Sequence, residues 1–219
     1  MEDLVEIHRG AEAIIYTGRY LGLRAIYKYR PPKPYRARAL DERIRRERTV
    51  NEARVMIRLS MLGIPVPPIL DLDPDAGLIV MGYIDGKLLR DVLAERGSFD
   101  LCRRAGEILG MIHMSGVYHG DPTISNYIVS KEGDLWIIDF GLSGYSDDVE
   151  DYAVDLHLLY RSIETLPLGS IEDLKRAVAE GYRRALGGER ASHIERRVGE
   201  IRMRGRYVAE RRLKTVWRR

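Results

Sequence analysis

The run His119-Gly120-Asp121-Pro122-Thr123-Ile124-Ser125-Asn126, followed by Ile137-Ile138-Asp139-Phe140-Gly141, concentrates the residues of this chain that could do chemistry. It offers an aspartate, an asparagine five positions on, and an Asp-Phe-Gly thirteen residues later. These types at this spacing suit phosphoryl transfer. One carboxylate, Asp121, would orient or deprotonate a nucleophile, while the amide oxygen of Asn126 and the carboxylate of Asp139 would hold Mg2+ on the phosphates of ATP. His119 is expected to steady the loop, since no other histidine stands at metal-ligand spacing from it.

A nucleotide also needs a cation on its phosphates. Lys28, in Ala25-Ile26-Tyr27-Lys28, ends a strand-like segment, and a phosphate-binding lysine projects from such a rigid element. Glu52, on the helical segment that follows, is the candidate to fix its ammonium. Gly10, Ala11 and Glu12 fall between the first two strands, where a nucleotide-covering loop belongs; with a single glycine the loop is accepted from its position. Met81, Gly82, Ile84 and Ile128 complete the residues assigned to the nucleotide.

The elements that must position these groups are legible from periodicity. Leu4–His8, Ala13–Gly18 and Leu23–Tyr29 are short, rich in Ile, Val, Leu and Tyr, and glycine-punctuated, which predicts an antiparallel sheet. From Ala37 to Leu62 an Arg- and Glu-rich segment with helically spaced apolar residues predicts one long helix, stopped by Gly63 and Pro65. Leu78–Met81 reads as a buried strand. A short helix is expected over Leu88–Leu93, then a longer one whose apolar face is Leu101, Ala105, Ile108, Leu109 and Ile112, with Asp100 capping its start and Gly116 its end. Tyr127–Val129 and Leu135–Ile138 read as two strands, and helices follow at 151–164, 171–186 and 190–204. The fold class is α+β: a minimal bilobal protein-kinase-like fold with an antiparallel-sheet N-lobe carrying one long helix (1–81), a hinge (82–86) and a reduced, mostly helical C-lobe (87–219).

With 219 residues, 45% hydrophobic and 32% charged, the chain can bury a sizeable core. Met1-Glu2-Asp3-Leu4 lacks the pattern of a signal peptide, no apolar run approaches the ~20 residues that span a bilayer, and Cys102 is the only cysteine. The expectation is a cytoplasmic protein without a membrane partner. Thirty of the 36 basic residues are arginine, glutamine is absent, and the only asparagines are Asn51 and Asn126, which fits either a thermophile or a GC-rich genome. The net charge of +3 is unevenly placed: residues 189–219 carry a surplus of seven positive charges, so the preceding 188 sum to −4. That is either a basic element meeting an acidic partner or nucleic acid, or a solvated basic helix.

Two departures from common kinase patterns shape the reading. Gly120 stands where most protein kinases have the arginine that reads a phosphorylated activation loop. Asp155 follows Asp139 by only sixteen residues with no Ala-Pro-Glu between, leaving little room for a peptide-docking platform. Asp155 itself either hydrogen-bonds the catalytic-loop backbone or is a helix N-terminal acid.

Along essentially its whole length the chain resembles the small atypical kinase subunit of the KEOPS complex. The resemblance rests on Gly10-Ala11-Glu12-Ala13; Lys28-Tyr29-Arg30-Pro31-Pro32-Lys33 with Tyr35-Arg36 and Leu40-Asp41; Arg48-Thr49 with Glu52-Ala53-Arg54; His119-Gly120-Asp121, Thr123 and Ser125-Asn126; Ile138-Asp139-Phe140-Gly141-Leu142; Glu150-Asp151 with Ala153-Val154-Asp155-Leu156; and Arg202 with Arg204-Gly205-Arg206. It implies a serine/threonine protein kinase or ATPase that uses ATP and Mg2+, autophosphorylates, and supports threonylcarbamoyl modification of tRNA. The partners implied are the tRNA threonylcarbamoyl-transferase subunit against the C-lobe and tail, a small regulatory subunit against the N-lobe, and tRNA near the basic tail (189–219). Pro122 and Ile124 depart from the expected leucine and threonine, Gly82 from a usual glutamate, and Ser162–Pro167 from a Ser-Thr-His stretch. The rival readings are a small-molecule phosphotransferase of the aminoglycoside or choline kinase type, a RIO-type kinase, and a non-catalytic pseudokinase scaffold.

Overall fold

The computed structural model describes residues 4–216, and their side chains as far as Arg204. Met1 to Asp3, Trp217 to Arg219, and the side chains of the tail beyond Arg204, including Arg206, therefore lie outside the described residues. The chain forms two compact units, residues 1–87 with 128–144, and residues 88–127 with 145–219. Among the described residues no helix is long and apolar enough to cross a membrane.

The first unit is built on a five-stranded antiparallel sheet in the order β1-β2-β3-β5-β4. Its strands are β1 (Val5–Arg9), β2 (Ile14–Tyr20), β3 (Leu23–Tyr29), β4 (Ile69–Asp73) and β5 (Leu78–Gly82). Four of them follow the predicted apolar runs; β4 does not, because its alternating Asp71 and Asp73 disguise an edge strand. Side chains alternate across β3. Ala25 and Tyr27 cluster with Val80 on one face, joined by Tyr16, Tyr20, Leu70 and Leu78. Lys28 takes the opposite parity.

Helix α1 (Arg38–Met61) follows β3. Its C-terminal half buries Ala53, Val55, Met56 and Leu59. The N-terminal half has no apolar stripe and is tied down by ions instead. Arg45 donates from Nε to Asp41 at 3.1 Å, and from Nη1 to the carbonyls of Arg30 at 3.2 Å and Ala76 at 3.1 Å. A smaller sheet in the order β6-β8-β9 (Gly86–Leu88, Tyr127–Ser130, Leu135–Ile137) accounts for the strand pair predicted around Lys131–Asp134.

The second unit is mostly helical: α2 (Leu89–Arg96), α3 (Phe99–Met114), α4 (Val149–Ile163), α5 (Ile171–Leu186) and α6 (Gly188–Val216), with β7 (Val117–Tyr118), a 3-10 turn (Ile124–Asn126) and β10 (Gly144–Tyr145). Ser98, not Asp100, caps α3: its hydroxyl accepts from Leu101 N at 3.3 Å, and Asp100 falls inside the first turn. A serine in the extended conformation puts its short side chain within reach of the third amide, which a residue already helical cannot do. α6 runs well past the predicted end at 204, and its first half is partly neutralised by acids of α4. Arg197 and Arg204 pair with Glu150, and Arg202 with Glu164 at 2.9 Å.

α3 and α5 pack through glycines. A Cβ on Gly181 would lie 1.8 Å from Arg103 O, and one on Gly106 would lie 2.0 Å from Val178 O, so the backbones touch where the side chains vanish. Gly181→Ala should therefore force the helices apart, lowering stability by about 2–3 kcal/mol and Tm by roughly 4–10 °C in a chain of this size, read by calorimetry. A Tm within 1 °C of wild type, on the order of experimental error, would contradict this packing.

Candidate active site

In the first unit the sequence-predicted Lys28, Glu52 and Asp139 come together. Lys28, flanked in register by Ile15 on β2 and Ile79 on β5, is 5% exposed. Its ammonium donates to Glu52 Oε1 at 2.7 Å and to Asp139 Oδ1 at 2.6 Å. Burial alone would lower the pKa of this lysine, but the carboxylates of Glu52 and Asp139 outweigh it and hold the pKa above the ordinary value. The side chain is thus a fixed cation. Asp139 has a φ of +65°, a left-handed conformation that aspartate tolerates and that turns its carboxylate out of the β9 line. Its side chain is 53% exposed, and its Oδ1 accepts both from Lys28 and, at 3.3 Å, from Gly141 N. Asn51, one residue before Glu52, donates to Ser143 O at 2.8 Å and ties α1 to the segment after Asp139-Phe140-Gly141.

The remaining nucleotide candidates also belong to this unit but do not join the cluster. Gly10 N–H closes a turn onto Ala13 O at 2.9 Å, Lys33 donates to Ala11 O, and Glu12 pairs with Arg48 at 2.8 Å. Met81 is buried on β5, Gly82 N–H donates to Pro68 O at 2.9 Å, and Ile84 and Ile128 are half-buried.

In the second unit Asp121 and Asn126 meet. Asn126 Nδ2 donates to Asp121 O at 2.8 Å and to Asp121 Oδ2 at 3.0 Å. With both protons used, the amide oxygen is the end left for a cation. The loop is held from beneath by Asp155, 1% exposed and well inside α4, which removes the reading of it as a helix-terminal acid. Asp155 accepts from His119 N at 2.5 Å and from Gly120 N at 2.9 Å, and His119 Nδ1 accepts from Asp121 N at 3.2 Å. Gly120 has a φ of +86°, so an arginine here would be strained; the missing arginine has a local backbone cause. Ser162 Oγ accepts from Ile124 N at 3.1 Å, giving the first residue of the departing Ser162–Pro167 stretch a place under the same loop.

Sequence reasoning missed Arg30, His113 and Tyr182 as members of these clusters. Arg30 Nη2 donates to Glu52 Oε2 at 2.5 Å. Its spacing of two from Lys28 was the available signal. His113 Nε2 lies 3.1 Å from Asp155 Oδ2, and its Nδ1 lies 2.7 Å from the Tyr182 hydroxyl. Six residues separate His113 from the His119 loop, but nothing in the sequence marks Tyr182.

Comparison with known proteins identifies the family and the fold. Residues 47–163 match the family described as ABC1 atypical kinase-like domain. A solved structure titled as the Rio2 kinase-ADP/Mg2+-phosphoaspartate complex from Chaetomium thermophilum superposes with a TM-score of 0.61 at 18% identity, covering 91% of this chain and 70% of that one; the likeness is one of fold. The family match and the fold define an atypical kinase-like domain of α+β architecture. Among relatives, the chain is 37% identical over 210 residues to the KEOPS complex subunit Bud32 of Pyrococcus abyssi, covering 92% of this chain and 95% of the relative. It is 44% identical over 177 residues to a probable bifunctional tRNA threonylcarbamoyladenosine biosynthesis protein of Methanococcus maripaludis, covering 81% of this chain but 32% of the relative. The chain belongs to the Bud32 family, and it spans about a third of the length of the bifunctional relatives.

The His113–Asp155 contact makes its own prediction. Burial holds the His113 pKa below its ordinary value, with Asp155 opposing and Arg190 adding to the depression. The neutral ring can donate from Nε2 to Asp155 and accept at Nδ1 from Tyr182. Because the unfolded chain protonates this histidine near pH 6.5 and the folded chain does so only at lower pH, the unfolded state binds more protons as pH falls below about 6.5. Stability is then lost on acidification, by at most about 1.4 kcal/mol per pH unit for one proton, and is fully present above that range. Urea unfolding from pH 8 to pH 5 should show wild type losing more than His113→Gln below about pH 6.5; parallel curves would contradict the assignment.

Proposed function

We propose that this chain is an ATP- and Mg2+-dependent phosphotransferase, a serine/threonine protein kinase or ATPase, working as the Bud32-type subunit of a KEOPS assembly in threonylcarbamoyladenosine modification of tRNA. The observation that carries the reading is the buried Lys28 bridging Glu52 and the exposed Asp139. Lys28 would steady the nucleotide phosphates, with Glu52 fixing its ammonium. Met81, Gly82, Ile84 and Ile128 would receive the base, and Gly10, Ala11 and Glu12 would cover the phosphates. Asp121 would orient a hydroxyl or water, accept its proton, and be held in register by Asn126, His119 and Asp155.

The donors suit magnesium: a hard cation takes oxygen ligands, and Asp139 and Asn126 each offer one. Among the described residues no group of three or more His, Cys, Asp or Glu could hold a metal alone. An ion shared with phosphates needs only one or two protein carboxylates. When bound, Mg2+ would supply charge neutralisation on the phosphate oxygens.

For partners, the bifunctional relatives join the third matched by this chain to further sequence in one polypeptide. That supports a partner acting together with this chain, which we assign to a separate tRNA threonylcarbamoyl-transferase subunit against the second unit and tail. The edge strand β1 exposes Val5 and Ile7, and Leu21 in the β2–β3 turn and Leu23 at the start of β3 are exposed as well, which supports a small regulatory subunit on the first unit. With Arg197, Arg202 and Arg204 already paired to α4, any contact with tRNA is assigned to the farther, basic part of the tail. The proposed compartment is the cytoplasm.

ATP turnover of Asp121→Ala and Asp139→Ala, measured alone and with the transferase subunit, should fall by about 100-fold or more. Unchanged turnover in both would remove the catalytic assignment and leave a binding scaffold. Truncation after Gly199 should weaken binding to the transferase or to tRNA by on the order of tenfold, with the tRNA part lost as salt rises; undiminished binding to both would return the tail to a solvated helix.

A further inference from the structure

Glu52 is 1% exposed, and each of its carboxylate oxygens faces a different cation: Oε1 takes Lys28 at 2.7 Å and Oε2 takes Arg30 at 2.5 Å. Arg30 is itself 4% exposed, and its Nε and Nη1 are buried with no hydrogen-bond partner. A guanidinium with two unpartnered nitrogens is a costly way to close a strand, since an apolar side chain would fill the same space without desolvating a charge. Its ion pair among the described residues is with Glu52. The backbone of Arg30 is also fastened: its N–H donates to Gly77 O at 2.9 Å, and its carbonyl accepts from Arg45 on α1 at 3.2 Å.

Lys28 already answers to two carboxylates and, on the reading above, must also answer to phosphate. Were it the sole counter-charge of Glu52, any pull by an incoming phosphate would leave a buried carboxylate half-neutralised and would draw the ammonium back. Arg30 holds the oxygen Lys28 does not use, through a planar guanidinium suited to a carboxylate. We infer that Arg30 is a positioning residue for the phosphate-binding lysine: it anchors Glu52 so that the Lys28–Glu52 pair stays formed while Lys28 engages nucleotide. The lysine–glutamate pair is thereby a fixed part of a three-membered cluster, not an on/off contact. This rests on the reading of Lys28 as a phosphate ligand.

The test is a double-mutant cycle on the full chain, with Mg2+-ATP and Mg2+-ADP binding measured by calorimetry and folding checked by thermal melts. Arg30→Met should weaken Mg2+-ATP binding by about tenfold, and Arg30→Lys, which restores one charged donor, should recover most of it. In a Glu52→Gln background Arg30→Met should add less than about twofold, because its action runs through Glu52. Should Arg30→Met not fold, Arg30→Gln takes its place in the same cycle. Wild-type affinity in the Arg30 variant, or an equal loss with and without Glu52, overturns the inference. Lys28→Ala separates this from the parent reading: retained binding there removes the role of Lys28 itself, whereas binding lost in Lys28→Ala but kept in Arg30→Met removes only the role of Arg30.

Discussion

The first unit depends on keeping one carboxylate charged where water does not reach. Glu52 sits on α1 with 1% of its side chain exposed, and a buried carboxylate without partners would cost several kcal/mol or protonate. Lys28 on β3 and Arg30 just beyond its end supply the positive charge, and strand alternation puts Lys28 on the face opposite the Ala25–Tyr27–Val80 cluster. The apolar half of α1 packs conventionally, whereas its charged half is held through Arg45 and Asp41. Removing one partner from such a cluster costs about 3–5 kcal/mol, because the other charge stays behind. That asymmetry fixes α1 and Lys28 at once, and sets Lys28 against the half-exposed Asp139 at its left-handed turn.

The second unit meets the same constraint with different chemistry. Asp155 is equally buried, but its partners are the backbone N–H groups of His119 and Gly120 and a neutral imidazole, not cations. Amide donors satisfy a carboxylate at low desolvation cost and at the same time hold the loop carrying Asp121 and Asn126. Gly120 follows from this: its left-handed φ is what lets its amide point at Asp155. The absence of the arginine common in regulated kinases is thus part of how the loop is built.

Much of this was legible in the residues. Lys28, Glu52, Asp121, Asn126 and Asp139 were readable as types at a spacing, and the strands and helices that carry them as apolar periods. What escaped has identifiable causes. β4 was hidden by alternating aspartates on an edge. Ser98 rather than Asp100 caps α3 because capping depends on which residue remains extended, and the sequence offers two polar candidates. Tyr182 reaches His113 from 69 residues away, a tertiary coincidence no local pattern encodes. The tail's charge surplus was plain, but its partial cancellation by Glu150 and Glu164 required α4 and α6 to be side by side.

Membership of the Bud32 family and the kinase-like fold establish the class; the central proposal is that this chain uses its acidic and amide oxygens to hold magnesium on a nucleotide. The most direct measurement is calorimetric ATP binding with Mg2+ and with EDTA, for wild type and Asp139→Asn. The account predicts that Mg2+ tightens ATP binding to wild type by about tenfold or more and does so much less in Asp139→Asn. Equal tightening in both proteins, or none in wild type, would contradict it.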